Sequence, residues 1–333
     1  MDTFSEYQYE DYGFHGDNFY KRKSDEIRRL RKLSFLAGLA VISYVVIQNL
    51  IVFIMQLTGV VETYLNNSYF SAGVDIFMAI LGILLPFSLA GRKMKEVSGI
   101  SEPIMTEAPK KASTFIFGAI GCSGAIMIAN IISSYITYFI SEAGYELENA
   151  DLDMPDGAFG FFLSIIRISI LAAVVEEYCM RGHVMGNLRK YGDGFAIVMA
   201  ASVFALMHGT LIQVPFAMLS GIALGYFSVK ANSIWPAIIG HAVNNGLSVA
   251  ITYLMKFMEE EKAMLFYSEI MYVLMLAGIL STVIFMKSTK NSTLRKADSV
   301  LTTAEKLFNF ICTPTTLIAI AIMVLITSES VSK

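Results

Sequence analysis

The sequence predicts an all-α, polytopic transmembrane helical bundle of about eight or nine spans, on three observations. Of 333 residues, 55% are hydrophobic and only 16% are charged, where a soluble domain carries roughly a quarter charged residues. Mean hydropathy is +0.58. Apolar runs of about 20 residues, the length that crosses hydrocarbon, recur between short loops whose charge alternates in sign.

Residues 1–32 form a polar tail, acidic and aromatic at first and then basic over KRKSDEIRRLRK, a stretch suited to a short amphipathic helix at the membrane surface. No apolar signal-peptide core precedes the first run, so the first span is expected to direct insertion. Spans are expected near 33–57, 70–91, 113–140, 159–188, 195–212, 214–230, 234–255, 264–286 and 307–327. Pro215 suits the first turn of the sixth, and Pro314 interrupts the ninth. The organisation is then a tail (1–32), N-terminal helices (33–158), a core that carries the chemistry (159–255) and C-terminal helices (256–333). No internal repeat is evident.

Basic residues fall in alternate loops: Lys21–Lys32, Arg92, Lys93 and Lys95, Lys110 and Lys111, Arg189 and Lys190, and Lys287, Lys290, Arg295 and Lys296. The intervening loops are acidic, with Glu142, Glu146, Glu148, Asp151, Asp153 and Asp156 in one and Glu259–Glu261 in another. The positive-inside rule puts the N-terminus and the basic loops in the cytoplasm. Such dispersed charge fits a lipid bilayer and excludes a nucleic-acid-binding stripe. Cys122, Cys179 and Cys312 lie in or beside apolar runs and read as small core residues.

Ionisable groups in hydrocarbon are costly, so they mark functional sites by default. Glu176, Glu177 and Arg181 sit inside one apolar run, His208 in a second and His241 in a third. Glu177 and Arg181 are i,i+4 neighbours on a helix and can neutralise each other. Glu176 points about 100° away and is left for another partner. The competing reading, a salt-bridged helix end at the interface, explains the glutamates and Arg181 but neither histidine. Phe204 and His208 share an i,i+4 spacing, as do His241 and Asn245, whose amide is a donor beside an imidazole. Glu176 lies 13 residues before Arg189 and His208 13 residues after Phe195, a common depth of about 20 Å; His241 matches this depth only approximately. His183 and His15 read as ordinary. Arg167 is nine residues before Glu176, on the opposite face, where snorkelling, Asp75 or a lipid phosphate would satisfy it.

Glu176-Glu177-x-x-x-Arg181, Phe204-x-x-x-His208 and His241-x-x-x-Asn245, in that order on separate spans, resemble the motifs of the CAAX protease and bacteriocin-processing family, the Abi or type II CAAX prenyl endopeptidases. The resemblance covers about residues 160–250. It implies an intramembrane endopeptidase with Glu176 as general base, His208 holding the water, His241 and Asn245 stabilising the oxyanion, and Glu177 and Arg181 shaping the cavity or meeting the substrate backbone. Glu176, His208 and His241 also make a legitimate zinc ligand set. Since HExxH is absent and Asn245 is a poor zinc ligand, the expectation is hydrolysis without a metal cofactor. The expected partner is a membrane protein or peptide substrate, a leader or small membrane-inserted peptide rather than a prenylated protein if the host is bacterial, as the Ile-, Met- and Lys-rich composition suggests, and the location a bacterial plasma membrane. The alternatives are a non-proteolytic bacteriocin-immunity or scaffold protein of the same fold and a proton-coupled transporter, against which the lack of repeats counts.

Overall fold

The computed structural model describes residues 12–148 and 154–332. The 1–11 tail, the side chain of His15, Asp151 and Asp153 lie outside the described residues. The elements in order are α1 (Tyr12–Leu57), α2 (Val61–Asn66), α3 (Ser68–Ser98), α4 (Ala112–Glu142), β1 (Glu146–Leu147), α5 (Gly157–Tyr191), α6 (Asp193–Leu206), α7 (Gln213–Ala231), α8 (Trp235–Leu254), α9 (Glu260–Ser288), α10 (Thr303–Ile311), α11 (Pro314–Glu329) and β2 (Val331–Ser332). The two short strands pair antiparallel and every other element among the described residues is a helix, so the all-α bundle is as expected.

By length and apolar composition alone, fewer helices qualify as spans than expected. Among the described residues six helices are long and apolar enough to cross a membrane, and a seventh crossing requires the bent pair α10–α11. Two expected spans account for the difference. α6 has only 14 residues, about 21 Å of rise. α8 is long enough, but His241, Asn244, Asn245 and Ser248 dilute its apolar character. At the N-terminus, α1 is one helix of 46 residues, so the expected surface helix and first span are continuous.

Local sequence explains the ends and bends. Asn67 caps α3, its side-chain oxygen accepting from Tyr69 N at 3.1 Å and Phe70 N at 3.0 Å. Thr302 and Glu305 form a reciprocal capping box at the start of α10. Pro314 lacks an N–H, so the carbonyl of Phe310 loses its helical donor. Ser34 of α1 replaces it by donating to Phe310 O, and also contacts Thr316 Oγ1 at 2.8 Å. The helix turns by 72° there, as the expected interruption of 307–327 requires. α4 and α9 approach so closely that a Cβ on Gly124 would lie 2.5 Å from the Gly278 Cα, the small-residue packing that membrane helices favour.

α5 carries two π-helical stretches, Ile165–Leu171 and Tyr178–Met185, on either side of Ala172–Glu177. π turns free carbonyls for other donors and recur at functional sites. Arg167, in the first stretch, forms an ion pair with Asp75 of α3, one of its three sequence-level options.

The loops segregate into two faces. On one, Asp193 accepts from Arg189 Nε at 2.7 Å and from Arg295 N at 2.7 Å, Arg22 pairs with Asp298 at 2.8 Å, and Trp235 Nε1 donates to Thr106 O at 2.8 Å. On the other, Lys256 meets Asp156 at 2.5 Å, Tyr69 donates to Asp156 O at 2.7 Å and β1 pairs with β2. This is the basic and acidic sorting expected from the sequence. With the basic face cytoplasmic, Glu142→Cys on intact cells should react with an impermeant maleimide while Ser101→Cys reacts only after permeabilisation; the reverse pattern would invert the topology.

Candidate active site

Three helices bring the polar residues together. Glu177, on the regular turn of α5 between its π stretches, is fully buried, and Arg181 one turn later is 1% exposed. Arg181 Nη1 donates to Glu177 Oε1 at 2.9 Å, the i,i+4 pair expected from spacing. The same oxygen accepts from His241 Nδ1 of α8 at 2.9 Å. Glu177 Oε2 is buried with no hydrogen-bond partner, so the buried charge is compensated entirely through Oε1.

Glu176 is placed differently. Its side chain is 23% exposed, and its Oε2 lies 3.7 Å from His241 Nε2, beyond a direct hydrogen bond. His241 therefore stands between two carboxylates, hydrogen-bonded to one and facing the other. The approximate depth match for His241 resolves into a hydrogen bond to Glu177 and a 3.7 Å approach to Glu176.

His208 departs from the helix-face reading. α6 ends at Leu206, and His208 lies beyond it, followed by Gly209 at φ +68°. Its Nδ1 lies 2.9 Å from Phe204 O. Since a carbonyl only accepts, Nδ1 carries the proton and Nε2 is left as an acceptor. Both histidines are thus anchored through Nδ1 and present Nε2. Phe204 spaces them: its ring is 4.7 Å from His208 and 6.0 Å from His241, centroid to centroid. Arg181 stacks on the same ring at 4.7 Å and reaches Gly221 O of α7 at 3.3 Å. His208 is within electrostatic reach of Glu176 and His241.

Asn245, one turn beyond His241, donates from Nδ2 to Ile168 O at 3.0 Å and accepts on Oδ1 from Asn244 Nδ2 at 3.1 Å. Ile168 lies in the first π stretch of α5. Ser169 of that stretch donates to Ala242 O at 2.7 Å. Asn244, Ser169 and Gly221 were not singled out in the sequence; an Asn within an apolar span was the available signal. Among the described residues no group of three His, Cys, Asp or Glu side chains is disposed to hold a metal ion. His183 packs edge-on against Tyr178 at 4.8 Å, away from the glutamate pair.

Residues 158–247 match the family model described as Type II CAAX prenyl endopeptidase Rce1-like. No curated protein and no solved structure matches the chain. The matched segment contains Glu176, Glu177, Arg181, Phe204, His208, His241 and Asn245, the residues of all three motifs.

Proposed function

We propose that the protein is an intramembrane endopeptidase that hydrolyses a peptide bond of a membrane protein or membrane-associated peptide, using water activated by Glu176. One observation carries this reading: the adjacent glutamates have unlike surroundings, Glu177 sealed between Arg181 and His241 and Glu176 partly exposed. Unlike environments are how paired carboxylates take separate roles.

In this reaction Glu176 removes a proton from a water whose other hydrogen is accepted by His208 Nε2. The hydroxide attacks the scissile carbonyl carbon. The oxyanion receives hydrogen bonds from His241 Nε2–H, with His241 in its protonated form against Glu177, and from the second N–H of Asn245. Collapse breaks the C–N bond, and Glu176 returns its proton to the leaving amine. Glu177 and Arg181 hold the frame. The reaction proceeds without a bound metal, because Asn245, a poor zinc ligand, stands where a second ligand histidine would.

The membrane peptidome of cells with Glu176→Gln should lack fragments that the parent releases; an unchanged peptidome contradicts the protease reading and returns the choice to a scaffold or transporter. Glu176→Gln should leave thermal stability near that of the parent. Arg181→Ala, which leaves the Glu177 charge uncompensated, should cost about 3–5 kcal/mol of stability as well as activity. Equal melting of Arg181→Ala and the parent would refute the structural role of the pair. For the metal, elemental analysis of active protein should find no stoichiometric zinc and chelation should leave cleavage intact. Zinc whose removal abolishes cleavage and whose return restores it would make Glu176, His208 and His241 ligands instead.

A further inference from the structure

A directional chain of three side-chain amides runs through Asn245, one turn beyond His241 on α8. Asn130 Nδ2 of α4 donates to Asn244 Oδ1 at 2.8 Å. Asn244 Nδ2 donates to Asn245 Oδ1 at 3.1 Å. Asn245 Nδ2 donates to Ile168 O at 3.0 Å. A backbone carbonyl can only accept, so the last link fixes the sense of the chain. Asn245 must turn its nitrogen to Ile168 and its oxygen to Asn244; Asn244 must then turn its oxygen to Asn130. An amide nitrogen carries two hydrogens, and Asn245 Nδ2 has one protein acceptor. Its second N–H has no protein acceptor among the described residues and is available to a bound substrate.

We infer that Asn130 and Asn244 are positioning residues that hold the Asn245 amide with a free N–H, rather than its oxygen, directed at the reacting carbonyl. The inference rests on the proposed proteolysis and deepens it. An isolated asparagine flips its amide at little cost; one locked by neighbours at both ends presents a preorganised donor, which is what oxyanion stabilisation needs. The lock extends across three helices, since Asn130 is on α4, Asn244 and Asn245 on α8, and Ile168 in the first π stretch of α5.

The chain makes an unusual ranking of variants. N130D is nearly isosteric, but its carboxylate can only accept. It turns the Asn244 amide, and Asn244 in turn pushes Asn245 to face Ile168 with oxygen against oxygen. N244D blocks the same relay one step later. N130A removes one end of the lock but puts no opposing group there, so the Ile168 carbonyl still favours the right orientation and the loss is smaller. A purely structural role would rank N130A at least as harmful as N130D.

The fragments whose release is lost in Glu176→Gln membranes supply the probe, as a synthetic peptide spanning the most abundant cleavage site. N130D and N244D are expected to lower kcat about 10²–10³-fold, the usual loss of one oxyanion donor, with KM little changed, whereas N130A loses far less. N130D should recover relative to the parent as pH falls, because the protonated carboxyl regains a donor. N130D added to Asn245→Ala should cost nothing more. Kinetics of N130D like those of the parent, or N130A matching N130D, would overturn the inference and leave the protease reading standing; no Glu176-dependent fragments would sink both. Independently of any variant folding, solid-state NMR of the parent should show dipolar coupling between Asn245 Nδ2 and the Ile168 carbonyl carbon, and its absence would overturn the inference.

Discussion

The site depends on one buried carboxylate. Glu177 is fully buried, and an uncompensated charge there would cost several kcal/mol. Arg181 Nη1 and His241 Nδ1, each 2.9 Å away, converge on the same oxygen. Arg181 continues to Gly221 O on α7 and to the face of Phe204 on α6. One charge thus fixes α5, α6, α7 and α8 relative to each other. It also decides the roles of its neighbours: holding His241 by Nδ1 turns Nε2 toward Glu176, and engaging Arg181 keeps that guanidinium off Glu176.

The rest of the bundle holds this arrangement in place. The first π stretch of α5 is bound to α8 by Ser169 and Asn245, and the second carries Arg181. α6 stops short at Leu206, which allows His208 to hang from the end of a helix instead of packing along it. A full-length span there would have carried the chain past the cleft. The bend at Pro314 is tolerated because Ser34 supplies the hydrogen bond that proline cannot, an instance of the rule that freed backbone groups in lipid find a partner.

What was legible in the sequence follows from the range of each interaction. The Glu177–Arg181 pair is four residues long, so helix geometry alone foretold it. Alternation of loop charge foretold which loops share a face, because topology writes charge directly into sequence. Contacts between helices were not legible: no spacing connects His241 to Glu177 64 positions away, or Asn130 to Asn244 114 positions away. Periodicity continued α6 through His208, whereas the backbone ends at Leu206 and turns at Gly209. Fewer helices than apolar runs have the length and composition of a span, because a run of suitable length says nothing about where a short helix stops.

The central claim is that His241 is bound more strongly to Glu177 than to Glu176. Paired stability cycles on the purified protein test it most directly, combining His241→Ala with Glu177→Gln in one cycle and with Glu176→Gln in the other. The account predicts a coupling of about 0.5–3 kcal/mol for His241 with Glu177, the range for residues in one hydrogen-bonded network, and a smaller one for His241 with Glu176, which approaches without a direct hydrogen bond. Equal couplings, or a larger one to Glu176, would contradict it.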